Sequence, residues 1–152
     1  MDNPLSDLRA QLESESSDGL TLLEDIQDNP ICTVRFDSSL PGIAVEWRGY
    51  ATRTQLRYVH ESILALLVTH KAAWMLCDDT GLPTIHAEDQ EWIAKDWMPR
   101  AVAAGLTTIA NKRPEAHFGK VSVASVQSII PAGLAVKSFD TLDDARRWLV
   151  AQ

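Results

Sequence analysis

Asp78, Asp79, His86, Glu88 and Asp89 bring four carboxylates and an imidazole together within one short stretch, DDTGLPTIHAED. Such groups can bind a hard cation or exchange protons, but a cation needs several oxygens converging at about 2.0–2.6 Å. The stretch has no repeating ligand spacing of the EF-hand kind. It reads instead as a solvated acidic loop leading to helix-start acids that favour the macrodipole. No metal or cofactor is expected. Thr80 adds a hydroxyl beside the aspartates. Trp92 and Trp97 follow on a helix, where five positions turn the chain through roughly 140°. One should meet the sheet and the other a rim, against a neighbouring helix, a partner or a ligand. The candidate binding residues are therefore Asp78, Asp79, Thr80, His86, Trp92 and Trp97.

Other catalytic arrangements are missing from the sequence. HFGKVS around Gly119-Lys120 is not a phosphate loop, because Pro114 stands where the first glycine would be. There is no G-x-S-x-G elbow. Cys77 lies in an apolar run without a cationic neighbour, so an activated thiolate is not expected. A receiver domain would need another strand-end aspartate, whereas the next strand runs into Asn111-Lys112. Neither His60 nor His70 is expected to ligate. One is read as a surface residue, the other as a favourable charge near a helix C-terminus.

The elements that must position these residues follow from periodicity. Cys32, Val34 and Phe36 alternate with polar neighbours, as do Ile43, Val45 and Trp47 across a turn at Ser38–Gly42, which predicts an antiparallel hairpin. A long helix capped at Thr52 or Thr54 carries Leu56, Val59, Ile63, Leu66, Leu67 and His70 on one face. Trp74–Cys77 is a central strand ending on the aspartates, where α/β sheets usually carry their sites. Ala87–Gly105 is a helix that Pro99 should kink or break near Lys95–Pro99. Leu106–Ala110 is a short strand, Pro114–Ser128 a helix, Leu134–Phe139 the last strand. Thr141-x-x-Asp144 caps the closing helix. The fold class is thus α/β, a mixed five-stranded sheet with an N-terminal hairpin. Trp74, Leu76, Val45, Ile63, Leu66, Ile109 and Trp148 should fill its core.

Residues 1–30 read as a helical or flexible appendage to a domain over 31–152. Asn3-Pro4 starts a short helix to about Ser14, ESESSDG is a polar linker, and Thr21-x-x-Glu24 has the form of a capping box for a second short helix. The Leu5, Leu8 and Leu12 face must dock on the domain or on a second copy of the chain, or fray.

The length of 152 residues allows a real core, and a net charge of −7 with no Lys/Arg cluster disfavours nucleic acid. No run approaches a membrane span and MDNPLSDL is no secretory signal, so a cytoplasmic protein is expected.

In its order of elements the chain resembles the sulfate-transporter and anti-sigma-factor-antagonist (STAS) superfamily. The resemblance rests on the hairpin, the long helix, DDTGL at Asp78–Leu82 and FDTLDDARRWL at Phe139–Leu149. WRGY at Trp47–Tyr50 and EDQEWIAKDWMPRA at Glu88–Ala101 are similar to a bacterial STAS/SEC14-like branch, which has no activity to carry over. The resemblance implies a STAS-like fold over about Ile31–Gln152. It also puts Asp79 where the antagonists carry a phosphorylated serine, so that its carboxylate would imitate the phosphorylated state. Two functions are expected from it. One is a non-enzymatic regulatory or protein-interaction domain acting through the Asp78–Asp89 surface. The other is a carrier or sensor of a small apolar, lipid-like ligand held between sheet and helices.

Overall fold

The computed structural model describes residues 21–24 and 29–152. The expected helix from Asn3 and its leucine face lie outside the described residues. Among the described residues the sheet has six strands rather than five, in the order of the sequence: β1 (Thr21–Glu24), β2 (Pro30–Asp37), β3 (Gly42–Trp47), β4 (Trp74–Asp78), β5 (Thr108–Lys112) and β6 (Ala135–Phe139). The additional strand falls where a second short helix is expected. A helix as short as the one expected there is marginal on its own, whereas the open edge of β2 offers backbone partners. Thr21 pairs with Val34 and Leu23 with Cys32, and the Leu23 side chain is buried.

The hairpin β2–β3 forms as expected, with Val34 opposite Val45. β3 to β6 are parallel neighbours, and every crossover steps the same way along the sheet. Right-handed crossovers then stack the intervening helices on one face. These are α1 (Arg53–His70), a run of α2 (Ala87–Trp92), a π-helical turn (Ile93–Trp97) and α3 (Met98–Ala103), and α4 (His117–Gln127). Thr52 caps α1 through a capping box with Gln55. The closing α5 (Leu142–Val150), capped by Thr141, returns to the opposite face beneath β4, β5 and β6.

Pro99 neither breaks nor ends the second helical run. Having no N–H to donate, it interrupts the i→i−4 ladder, and the backbone widens just before it: the Met98 N–H bonds back to the Ile93 carbonyl, five residues away.

The main core lies between the sheet and the helix-rich face, and includes Val45, Ile63 and Ile109. A smaller one beneath α5 holds Leu40, Leu76, Ala110, Ala145 and Leu149. Leu66, Trp74 and Trp148 are only partly buried. The nine-residue α5 cannot cover its whole face of the sheet, so Trp74 and Trp148 close the border of that core rather than its centre. Among the described residues, no helix is long and apolar enough to cross a membrane.

Candidate functional site

β4 ends on Asp78 and Asp79 follows it directly, the two side chains continuing the alternation of the strand to opposite faces. Asp78 stays half-buried, and its Oδ1 accepts from the Thr80 backbone N–H at 3.1 Å and from the Thr80 hydroxyl at 2.5 Å. It thus forms the Asx-type turn that carries the chain off the sheet. Gly81 is required here: a Cβ would lie 2.5 Å from Arg48 Cα and 2.7 Å from the Trp47 carbonyl oxygen, and the Gly81 N–H donates to that oxygen. The turn is thereby clamped to the end of β3.

Asp79 turns inward and is 7 % exposed. Its Oδ2 accepts from Asn111 Nδ2 at 3.1 Å. Burial drives its pKa up to about 7; the Asn111 bond opposes this and the nearby Asp78 charge adds to it. Asn111 belongs to a wider polar patch. Its Oδ1 accepts from Gln127 Nε2 at 3.0 Å and from the Ser138 hydroxyl at 2.7 Å, while Gln127 Nε2 also reaches Ser138 Oγ at 2.7 Å. The residue just past β4 and the elements β5, β6 and α4 each contribute one side chain to this patch.

Above it opens a cavity of about 100 Å³ between the sheet and the helices. Asp79, Asn111 and Gln127 line one part; Ile63, Met75, Ile93, Met98, Ile109 and Val126 make most of the wall, with Trp47, Trp97 and His60. The sheet contributes through the carboxyl-terminal halves of its parallel strands, the position at which open α/β sheets bind ligands.

His60 is not the surface residue the sequence suggests. Its ring meets Trp47, Trp92 and Trp97, with centroids 6.3, 5.9 and 4.9 Å away. Desolvation lowers its pKa to about 4, against the bond to the Leu56 carbonyl and the charges of Glu61 and Asp89. The imidazole is therefore neutral at neutral pH. With Nδ1 2.8 Å from the Leu56 carbonyl oxygen, Nδ1 carries the proton and Nε2 is an acceptor. His70, at the end of α1, stacks on Phe36 at 4.0 Å.

The two tryptophans divide as their spacing requires. Trp97 is buried, lines the cavity and donates its indole N–H to the His60 carbonyl at 2.6 Å. Trp92 is half-buried outside the cavity, with the guanidinium carbons of Arg57 and Arg100 at 4.9 and 5.9 Å from its ring centroid. His86 is exposed at the start of α2 and shares a 2.8 Å hydrogen bond with Tyr50. Asp89 is more than a helix-dipole acid. It is 2 % exposed, 3.0 Å from Arg53 Nε and 3.9 Å from Arg57 Nε, and so ties α2 to α1.

Of the six expected site residues, Asp79 and Trp97 therefore meet in the cavity. Asp78 and Thr80 shape the turn beside it, and His86 and Trp92 stand apart. Sequence reasoning passed over His60, Asn111 and Gln127. Each is a polar residue in the phase of an apolar face: His60 four after Leu56, Asn111 two after Ile109, Gln127 four after Val123. Among the described residues, no cluster of three or more His, Cys, Asp or Glu could hold a metal ion. Burial pushes the Cys77 thiol well up, so no reactive thiolate lines the site.

A scan of the chain against models of known protein families finds no match, and a search of curated protein sequences finds none either.

Proposed function

We propose that the chain is a non-enzymatic sensor domain that binds a small, mainly apolar molecule in the cavity above Asp79. The observation that carries this reading is the cavity itself, apolar along most of its wall and polar on one side, at the strand ends. Its volume of about 100 Å³ is well short of the several hundred that a lipid chain needs, which favours a sensor of a small molecule over a lipid carrier.

A regulatory, protein-interaction role is the second reading, and the outer side of α4 favours it. Phe118 is 71 % exposed and Val121 52 %, with Ile129 also exposed just beyond the helix. The inner side of the same helix lines the cavity through Val123, Val126 and Gln127, so ligand and partner would share one element. The expected Asp78–Asp89 surface supports this reading less, because Asp79 and Asp89 are both buried. A STAS-like ancestry and a cytoplasmic setting fit either reading.

The test is ligand-dependent stabilisation. Amphiphiles of four to six non-hydrogen atoms should raise the melting temperature of the wild type, and Val126→Phe, which fills the cavity, should abolish the response. Equal responses of the two proteins would remove the cavity from the function.

A further inference from the structure

Resting on the cavity reading, we infer that the ligand class is a small primary amine, bound as its ammonium ion with the charge against Asp79 and the alkyl group against the apolar wall. The inference starts from what lines the cavity. Among the described residues, Asp79 is the only carboxyl lining it, and no lysine or arginine accompanies it. Its one hydrogen-bonding partner among the described residues is the neutral Asn111 amide. A carboxyl so placed either keeps its proton or pays for desolvation of its charge, and a cation delivered with an apolar body relieves that cost.

The hydrogen-bonding capacity left over points the same way. Asn111 Oδ1 already accepts two bonds, and Gln127 Nε2 already donates two. Asp79 Oδ1, Gln127 Oε1 and His60 Nε2 accept none from the described residues, and all three residues line the cavity. An ammonium group has three donors and no acceptor, the complement of such a set. His60 reinforces it by staying neutral: an imidazolium there would repel the ligand. A carboxylate ligand is disfavoured by the same atoms, and a neutral alcohol would use only part of the capacity. Size limits the alkyl part. An apolar cavity of about 150 Å³ holds the six carbons of benzene, so one of about 100 Å³ admits roughly four or five non-hydrogen atoms.

Isobutylamine, isobutanol and isobutyrate share one branched skeleton and differ in the head group. Binding of each to the full chain should be followed by calorimetry and by amide chemical shifts. Isobutylamine should bind at least tenfold tighter than isobutanol, with isobutyrate weakest, and the shifts should centre on Asp79, Asn111 and Gln127. Asp79→Asn should weaken isobutylamine tenfold or more while leaving isobutanol unchanged. Should that variant fail to fold, the order of the three compounds on the wild type remains decisive. Isobutanol or isobutyrate binding as tightly as the amine, and blocked by Val126→Phe, would overturn the amine and leave the cavity reading standing. No shift at cavity residues with any compound would overturn both.

Discussion

Asp79 and Asp89 lie ten residues apart and are almost equally hidden, yet their surroundings differ in kind. Asp89 sits at the joint of α1 and α2, with one arginine in hydrogen-bond contact and a second close by. Asp79 sits on the cavity side of the sheet with only an amide for company. A buried carboxylate with a full counter-charge holds two helices together, and its bonding capacity goes to structure. A buried carboxyl with a neutral partner stays uncommitted, and capacity of that kind marks a binding site.

The largest test of the contrast is the dependence of stability on pH. Asp79 has its pKa raised from 3.8 to about 7 in the folded chain, so between those values the folded state holds a proton that the unfolded state has lost. Its contribution is full below pH 4, falls as pH rises to 7, and totals roughly 4 kcal/mol. His60 runs the other way. Its pKa drops from 6.5 to about 4, so the unfolded state holds the additional proton and stability rises with pH across that window, by roughly 3 kcal/mol. The two slopes nearly cancel between pH 4.5 and 6.5. Urea denaturation of Asp79→Asn should unmask a rise with pH there, and His60→Gln a fall. Variants that both track the wild type would deny Asp79 its uncompensated state.

Next in size, Asp89→Ala should cost about 2–4 kcal/mol, because it removes the buried acceptor that two arginines approach. The same denaturation assay measures it. At constant pH above 7, Asp79→Leu should by contrast be neutral or stabilising, since it replaces an uncompensated buried carboxylate by an apolar side chain. Equal losses from the two substitutions would erase the distinction.

The smallest effect is at Glu88, which also meets Arg53, at 2.5 Å, but with 76 % of its side chain exposed. Glu88→Ala should leave the melting temperature unchanged within error. A loss like that of Asp89→Ala would make the shared arginine, rather than burial, the source of the stability.

Much of this architecture could be read from the sequence and the site only in part, for physical reasons. Alternation at Cys32–Phe36 and Ile43–Trp47, the cap at Thr52 and the cap at Thr141 each encode their element locally, and those elements formed where expected. β5 begins at Thr108, two residues later than the apolar pattern suggests, because pairing with β4 rather than local character sets its ends. β1 has no local signature strong enough to oppose a capping-box pattern; its strand state is supplied by β2. In the site, Asp79 and Trp97 follow from strand and helix geometry. His60, Asn111 and Gln127 come together only through tertiary packing, from elements far apart in the chain. Their single local trace is a polar side chain where an apolar one belongs.

The wide turn at Ile93–Trp97 bears on how that helix can be read at all. Asp89, Ile93, Trp97 and Ala101 are all buried, at strict intervals of four. On a regular α-helix each such interval advances about 40° around the axis, and three of them would carry the last residue some 120° from the first. A turn that takes in an additional residue retards the rotation. It acts as a phase corrector, bringing a four-residue beat back into step with a flat partner. Regularising that turn at unchanged length would advance Trp97 by about 100° and swing it away from the cavity, whereas deleting one residue there would restore an ordinary spiral with Trp97 still in place.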